Sequence, residues 1–218
     1  MTFLSYHNPE TNWPKIPQNM SSEQTSEFSS LPELPGMITR LGQRPGAIHF
    51  LHGHSSVFTI GLLMASATQQ PLVVIDGAMR FNSYRLSTIA QRLKLPPKEV
   101  LHRTYITRSF TAFQTEAAIT TKLPRFLQTH PCPLVVILGL LDTYYDEQIK
   151  ARECQQSLQR ILRALRTLTA RNIHVLIVDV EVAVPPPGKE MLFQLVHHSS
   201  DVVMRLEGTE QKVVLQLK

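Results

Sequence analysis

The 218 residues include only two cysteines, Cys132 and Cys154. A disulfide-stapled secreted framework is therefore excluded. The two positions also lack metal-ligand spacing, so both read as reduced thiols in a reducing compartment. No stretch reaches about 18 consecutive apolar residues, so no membrane-spanning helix is expected. The first residues lack the basic-then-apolar pattern of a secretory signal. The expected setting is intracellular: cytoplasm or nucleoid in a prokaryote, nucleus in a eukaryote. No G-x-S-x-G occurs, so Ser55, Ser56 and the neighbouring histidines do not form a hydrolase elbow. No internal repeat is visible. Charged residues make up 18% and aromatics 7%. A net charge of +5 with a pI of about 9.4 is compatible with an anionic partner and too small to demand one.

A hydrophobic share of 43% over this length is enough for one domain with its own core. Residues 1–35 differ in texture. They are rich in Ser, Pro, Asn, Gln and Glu, bury too little to offset their ordering entropy, and read as a flexible tail. Phe3 and Trp13 are isolated aromatics in that tail, able to dock on a partner or to pack back on the domain. Residues 36–218 read as the core domain.

Within the core, apolar runs alternate with amphipathic segments. AIHFLHG reads as a strand and turn, and FTIGLLMASA as a buried helix. PLVVIDG, PLVVILGL and HVLIVDVEV are continuous β-branched runs, the pattern of strands covered on both faces. SYRLSTIAQRL is helical, VLHRTYIT reads as a strand, and TEAAITTKLPRFLQT as a helix broken or kinked at Pro124. CQQSLQRILRALRTLTAR is the clearest helix, with Leu158, Ile161, Leu162, Leu165 and Leu168 opposite Arg160, Arg163 and Arg166. DVVMRLE and KVVLQLK read as a closing hairpin. The alternation predicts an α/β fold, a wound and mostly parallel sheet with a C-terminal antiparallel hairpin.

The order of these elements resembles the RecA/RadA recombinase core over residues 36–218. LPGMITRLGQRPGAIHFLHG is similar to that family's approach to its phosphate loop. VVIDGAMRFNSYRLSTIAQRL is similar to its segment of the form IDTEGTFRPERL-x-x-IA-x-R. LPPKEVLHRTYITRSFTAFQ, LVVILGLLDTYY with ECQQSLQRILRALRTL, and HVLIVDVEVAV with HHSSDVVMRLE follow in the family's order. The resemblance implies a RecA-like, P-loop-type fold.

The family's phosphate loop is G-x-x-x-x-G-K-[ST], in which backbone amides hold the phosphates, Lys neutralises them and the hydroxyl binds magnesium. Here Gly53 stands at the first Gly. The second Gly falls on Phe58, the Lys on Thr59 and the hydroxyl on Ile60. One residue shorter, Phe58 replaces the Lys and Thr59 keeps the hydroxyl. Neither register contains Lys. Asp76 matches the family's Asp, but the catalytic Glu falls on Ala78. The metal-holding Asp of the second motif falls near Leu138, and the Gln after the last core strand near Val180. The resemblance thus implies a degenerate nucleotide site without ATPase activity, weak binding of ATP and magnesium being left open. His49, His52 and His54 read as polar fillers of that site in preference to zinc ligands.

In the family, single-stranded DNA is held by two loops. The first would be residues 142–153, offering Tyr144 and Tyr145 for stacking and Lys150 and Arg152 for phosphates. The second would be residues 184–198, with Lys189, His197 and His198 as backbone contacts, stiffened by three prolines. Arg108 matches a family position, and Arg160 and Arg163 offer a basic helical face that is otherwise the wet side of the helix. The family's Phe-x-x-Ala oligomerisation peptide has no clear copy here, which favours a dimer or a hetero-oligomer over self-polymerisation. The expectation is a non-catalytic recombinase paralogue that binds single-stranded DNA, a partner recombinase or paralogue subunit, or both. An ATPase-dead scaffold subunit without direct DNA binding and a divergent ATP-binding protein are the alternatives.

Overall fold

The computed structural model describes residues 3–5, 41, 46–207 and the backbone of 212–217. The strands are β1 (Leu4–Ser5), β2 (Ile48–Gly53), β3 (Leu72–Asp76), β4 (Thr104–Arg108), β5 (Leu134–Leu138), β6 (His174–Val180), β7 (Val202–Glu207) and β8 (Lys212–Leu217). They form one sheet in the order β1-β4-β3-β5-β6-β2-β7-β8. The six strands from β4 to β7 in that order run parallel. β1 is antiparallel to β4, and β8 to β7. Residues 208–211, where the turn between β7 and β8 was expected, lie outside the described residues.

Helices cover both faces. On one lie α1 (Val57–Ala67), α2 (Ser83–Arg92) and α3 (Pro97–His102). On the other lie α4 (Ala112–Ala117), a π-helical turn (Ala118–Lys122), α5 (Leu123–Thr129), α6 (Ala151–Thr169) and α7 (Glu190–Ser199). The β-branched runs now have their reason: Leu72 and Val74 of β3 pack under the first layer, while Val73 and Ile75 pack under the second. A central parallel strand has no wet face, so both alternations must be apolar. No helix among the described residues is long and apolar enough to cross a membrane.

Three local readings change. Val100 and Leu101 belong to α3, not to a strand; Pro97 sits in that helix's first turn, where its missing amide costs nothing. Pro124 falls in the first turn of α5, and the π turn just before it absorbs the missing hydrogen bond without a sharp break. In the expected second loop, residues from Glu190 onward are helical. Phe3 packs back on the domain: its ring stacks on Phe126 at 4.4 Å, beside the short β1–β4 pairing. The rest of the expected tail, Trp13 included, lies outside the described residues.

At the carboxyl end of β2 the chain leaves the sheet through Gly53, at φ +132°. A Cβ there would stand 2.1 Å from the Leu206 carbonyl oxygen of β7. Gly53→Ala should therefore strain the backbone and push β7 away, lowering stability by at least about 2 kcal/mol in urea denaturation. An unchanged midpoint would contradict this packing.

Candidate functional site

Between β2 and α1 stand only His54, Ser55 and Ser56. Several amides of this turn already have acceptors in the chain. His54 N donates to Leu206 O at 3.2 Å, Val57 N to His54 O at 2.9 Å, and Thr59 and Ile60 N to Ser56 O at 3.0 and 3.1 Å. Ser56 N points at His54 Nδ1, 3.5 Å away. Gly53 O accepts from Glu181 N at 2.9 Å. The local cause is apolar. Val57, Phe58 and Ile60 are buried in the first turns of α1, and Gly61 lets that helix lie against Val178 of β6, where a Cβ would be 2.6 Å from Val178 Cγ2. Helix therefore begins where a phosphate loop would still be turning. Of the two candidate lysine positions, Phe58 is buried and Thr59 lies half-buried in the helix. Above the Phe58 ring sits the Arg80 guanidinium, 5.5 Å from its centre. This turn and its lining do not fit a triphosphate.

The ends of the neighbouring strands are equally full. Asp76 is buried and organises the turn after β3. Its carboxylate accepts from Arg80 N at 2.9 Å and Phe81 N at 3.1 Å, with Arg108 Nε 3.5 Å away. Ala78 is jammed against Gly139, at φ +65°, where a Cβ would come within 2.1 Å of the Ala78 Cβ. Leu138 closes β5 fully buried, and Val180 ends β6 half-buried. One polar group here escaped the sequence reading: Asp179, wholly buried, one residue before Val180. Its Oδ1 accepts from Leu141 N at 3.0 Å, while Oδ2 has no hydrogen-bond partner among the described residues. Burial pushes its carboxyl well above the usual carboxylate range, against the opposing effect of the Leu141 amide. A lone carboxylate inside HVLIVDV was the available signal.

The expected DNA residues separate into engaged and free. Tyr144 is fully buried and offers no face to a base, which corrects its assignment to stacking. Its hydroxyl lies 2.7 Å from Ser157 Oγ, to which it donates, and 3.4 Å from Ala112 O. Ser157 in turn donates to Glu116, which holds Arg160 through two bonds of 2.5 and 3.0 Å. Those bonds keep the Glu116 carboxyl below its ordinary range. Arg160 is thus committed, as is Lys189, buried with its ammonium on the carbonyls of Tyr144 and Asp146. The assignment of Lys189 to DNA is likewise corrected. Tyr145 is half-buried, its hydroxyl pushed up to about 12, chiefly by burial. Arg108, 46% exposed, leans on Asp76 and Phe81 O. His197 and His198 are on the last turn of α7 and not on a loop; His198 is exposed and bonded to Gln194 O at 2.7 Å. Lys150 and Arg152 are exposed at the start of α6. Arg163 is exposed further along that helix, while Arg166 is paired with Asp201.

His49 and His52 of β2 and His54 of the turn do not converge. His49 neighbours His174, with ring centres 5.9 Å apart, and His54 is exposed in the turn. His52, on the opposite face from His49, is packed among Phe50, Phe193 and His197, with Glu181 Oε2 3.4 Å from its Nδ1. Burial lowers its pKa to about 4, although Glu181 pulls the other way; Arg205 and His197 add to the lowering. The unfolded chain protonates this imidazole near pH 6.5, so stability is full above that value and falls as pH drops toward about 4. Between pH 7 and 5 the loss from this residue should be on the order of 1–2 kcal/mol in urea midpoints, and His52→Phe should remove that part. An equal pH slope in both proteins would contradict it.

A family model for Rad51 matches residues 43–200. No curated protein matches the chain. The matched span runs from just before β2 to the end of α7 and contains five of the six parallel strands. With well over half its length matched, and with the sheet order and helix layers just described, the chain belongs to the Rad51 family and carries its RecA-like recombinase core.

Proposed function

We propose that this protein is a recombination and repair factor that works without turning over nucleotide. In this reading it binds single-stranded DNA, a partner recombinase subunit, or both, and assists the strand-exchange assembly. The observation that carries the reading is the short β2–α1 turn, in which the amides of His54, Val57, Thr59 and Ile60 are paired inside the chain and a lysine position of the phosphate loop holds buried Phe58. Catalysis of phosphoryl transfer depends on positioning and on charge stabilisation by cradle amides, Lys and metal. A turn with Phe58, Ala78 and Leu138 at those positions supplies none of the side-chain parts. Family membership brings DNA and recombinase partners in general. The free cations Lys150, Arg152 and Arg163, on a chain of net charge +5, support direct contact with a polyanion.

Fluorescence anisotropy on a labelled single strand, across several salt concentrations, tests this. Wild type should bind with a salt-dependent affinity that ATP and magnesium leave unchanged. Lys150→Ala with Arg152→Ala should weaken binding about tenfold and lower the salt slope by about one to two. Failure of wild type to bind would overturn direct DNA contact and leave the readings in which the chain acts through a protein partner. Binding that requires ATP would overturn the nucleotide-independent one.

A further inference from the structure

A carboxyl oxygen is left over at the carboxyl edge of the sheet. Asp179, near the end of β6, has no exposed surface. Its register partner on β2 is His52, and both point to the face covered by α6 and α7. Asp179 Oδ1 accepts from Leu141 N at 3.0 Å, while Oδ2 has no hydrogen-bond partner among the described residues. Leu141 belongs to the segment 139–146, which leaves β5 and leads toward α6. That segment is also held by Gly139 N on Val178 O at 2.8 Å, by Thr143 Oγ1 beside Thr115 Oγ1 at 3.2 Å, and by the Lys189 ammonium on Tyr144 O at 2.9 Å. Asp179 adds a side-chain tie from β6.

The groups around this carboxyl do not neutralise it. From the covering segment, half-buried Asp142 adds a like charge, and the Tyr145 hydroxyl lies within the field of both carboxylates. On β2, burial keeps His52 neutral, with Glu181 and His197 beside it. The cations of the surrounding elements have other partners. Lys189, just before α7, lies on the carbonyls of Tyr144 and Asp146. Arg205 of β7 holds Glu181, and Arg80 after β3 sits over Phe58 and acts on Asp142. A wholly buried carboxyl with one amide and no cation is at ease only while it carries its proton. Burial accordingly raises it well above the usual carboxylate range; the Leu141 amide opposes this and Asp142 reinforces it.

We propose that Asp179 is a proton-operated latch on the segment 139–146: protonated, it seats the segment against β6; ionised, it drives the segment off. The step releases one proton to solvent. The charge left behind, unpaired and next to Asp142, is relieved when water reaches Oδ2, and the buried carboxyl admits water when its cover moves. Beneath that cover lies Cys154 of α6, buried, its Sγ donating to Tyr144 O at 3.5 Å. The segment runs on to Lys150 and Arg152, so the latch sets how firmly those cations are presented. It stands apart from the DNA-binding reading and does not need it. The unfolded chain ionises this carboxyl near pH 3.8. Above that value the folded state binds more protons than the unfolded one, so stability falls as pH rises through the raised folded pKa. The direction is opposite to that of His52.

The test follows labelling of the Cys154 thiol in the full chain, with Cys132→Ala removing the other cysteine. The thiolate is the reacting species, so every chain labels faster as pH rises. Dividing the rate of the Asp179 chain by that of its Asp179→Asn variant removes this common rise. The ratio should be near one at about pH 5 and climb at least about tenfold by about pH 9. Asp142→Asn takes away the neighbouring charge and should move the climb to lower pH. A ratio that stays flat overturns the latch. Urea midpoints of the two chains that diverge with pH while the ratio stays flat assign Asp179 to global stability alone and overturn it equally. If Asp179→Asn does not fold, wild type against Asp142→Asn decides: labelling profiles that superimpose overturn the proposal, and a profile displaced to lower pH supports it.

Discussion

The burial of Val57, Phe58 and Ile60 at the start of α1 is the constraint on which this architecture turns. With those side chains under the helix and Gly61 against Val178, only three residues separate α1 from β2. The turn then has no length left to curve around an anion. The amides of His54, Val57, Thr59 and Ile60 find partners at Leu206, His54 and Ser56 and tie the turn into the sheet–helix junction. Backbone donors that are already paired in a packed junction are costly to free.

The same economy runs along the carboxyl edge of the sheet. Asp76 holds its own turn, Gly139 and Ala78 wedge two crossovers together, and Lys189 neutralises the dipoles of two carbonyls. Tyr144 is the strut of the edge. Through Ser157 and Glu116 it reaches Arg160, and through Ala112 it reaches α4. Polar groups that a sequence motif would assign to a ligand are consumed here by structure. Among the residues expected to meet DNA, Lys150, Arg152 and Arg163 are left exposed to solvent.

Much of this was legible beforehand, and the parts that were not share a cause. The strands with two apolar alternations, LVVID, LVVIL and HVLIVDV, were readable because burial on both faces leaves a residue pattern that needs no partner to interpret. The same holds for the apolar stripe of α6. Val100 and Leu101 were not readable, because a short apolar run carries no period that separates helix from strand. The roles of Tyr144 and Lys189 depend on Ser157, Ala112 and Asp146, partners 13, 32 and 43 residues away. The missing Lys of the phosphate loop was visible, but the start of helix already at Val57 was not.

The account stands most directly on whether the β2–α1 turn can accept a nucleotide. Titrating the protein with ATP and magnesium while following its thermal midpoint measures this, since a ligand bound only by the folded state raises stability as its concentration passes its dissociation constant. The closed turn predicts a midpoint that does not move up to about 5 mM nucleotide, the scale at which even millimolar binding would register. A saturable rise of several degrees, dependent on magnesium, would contradict it.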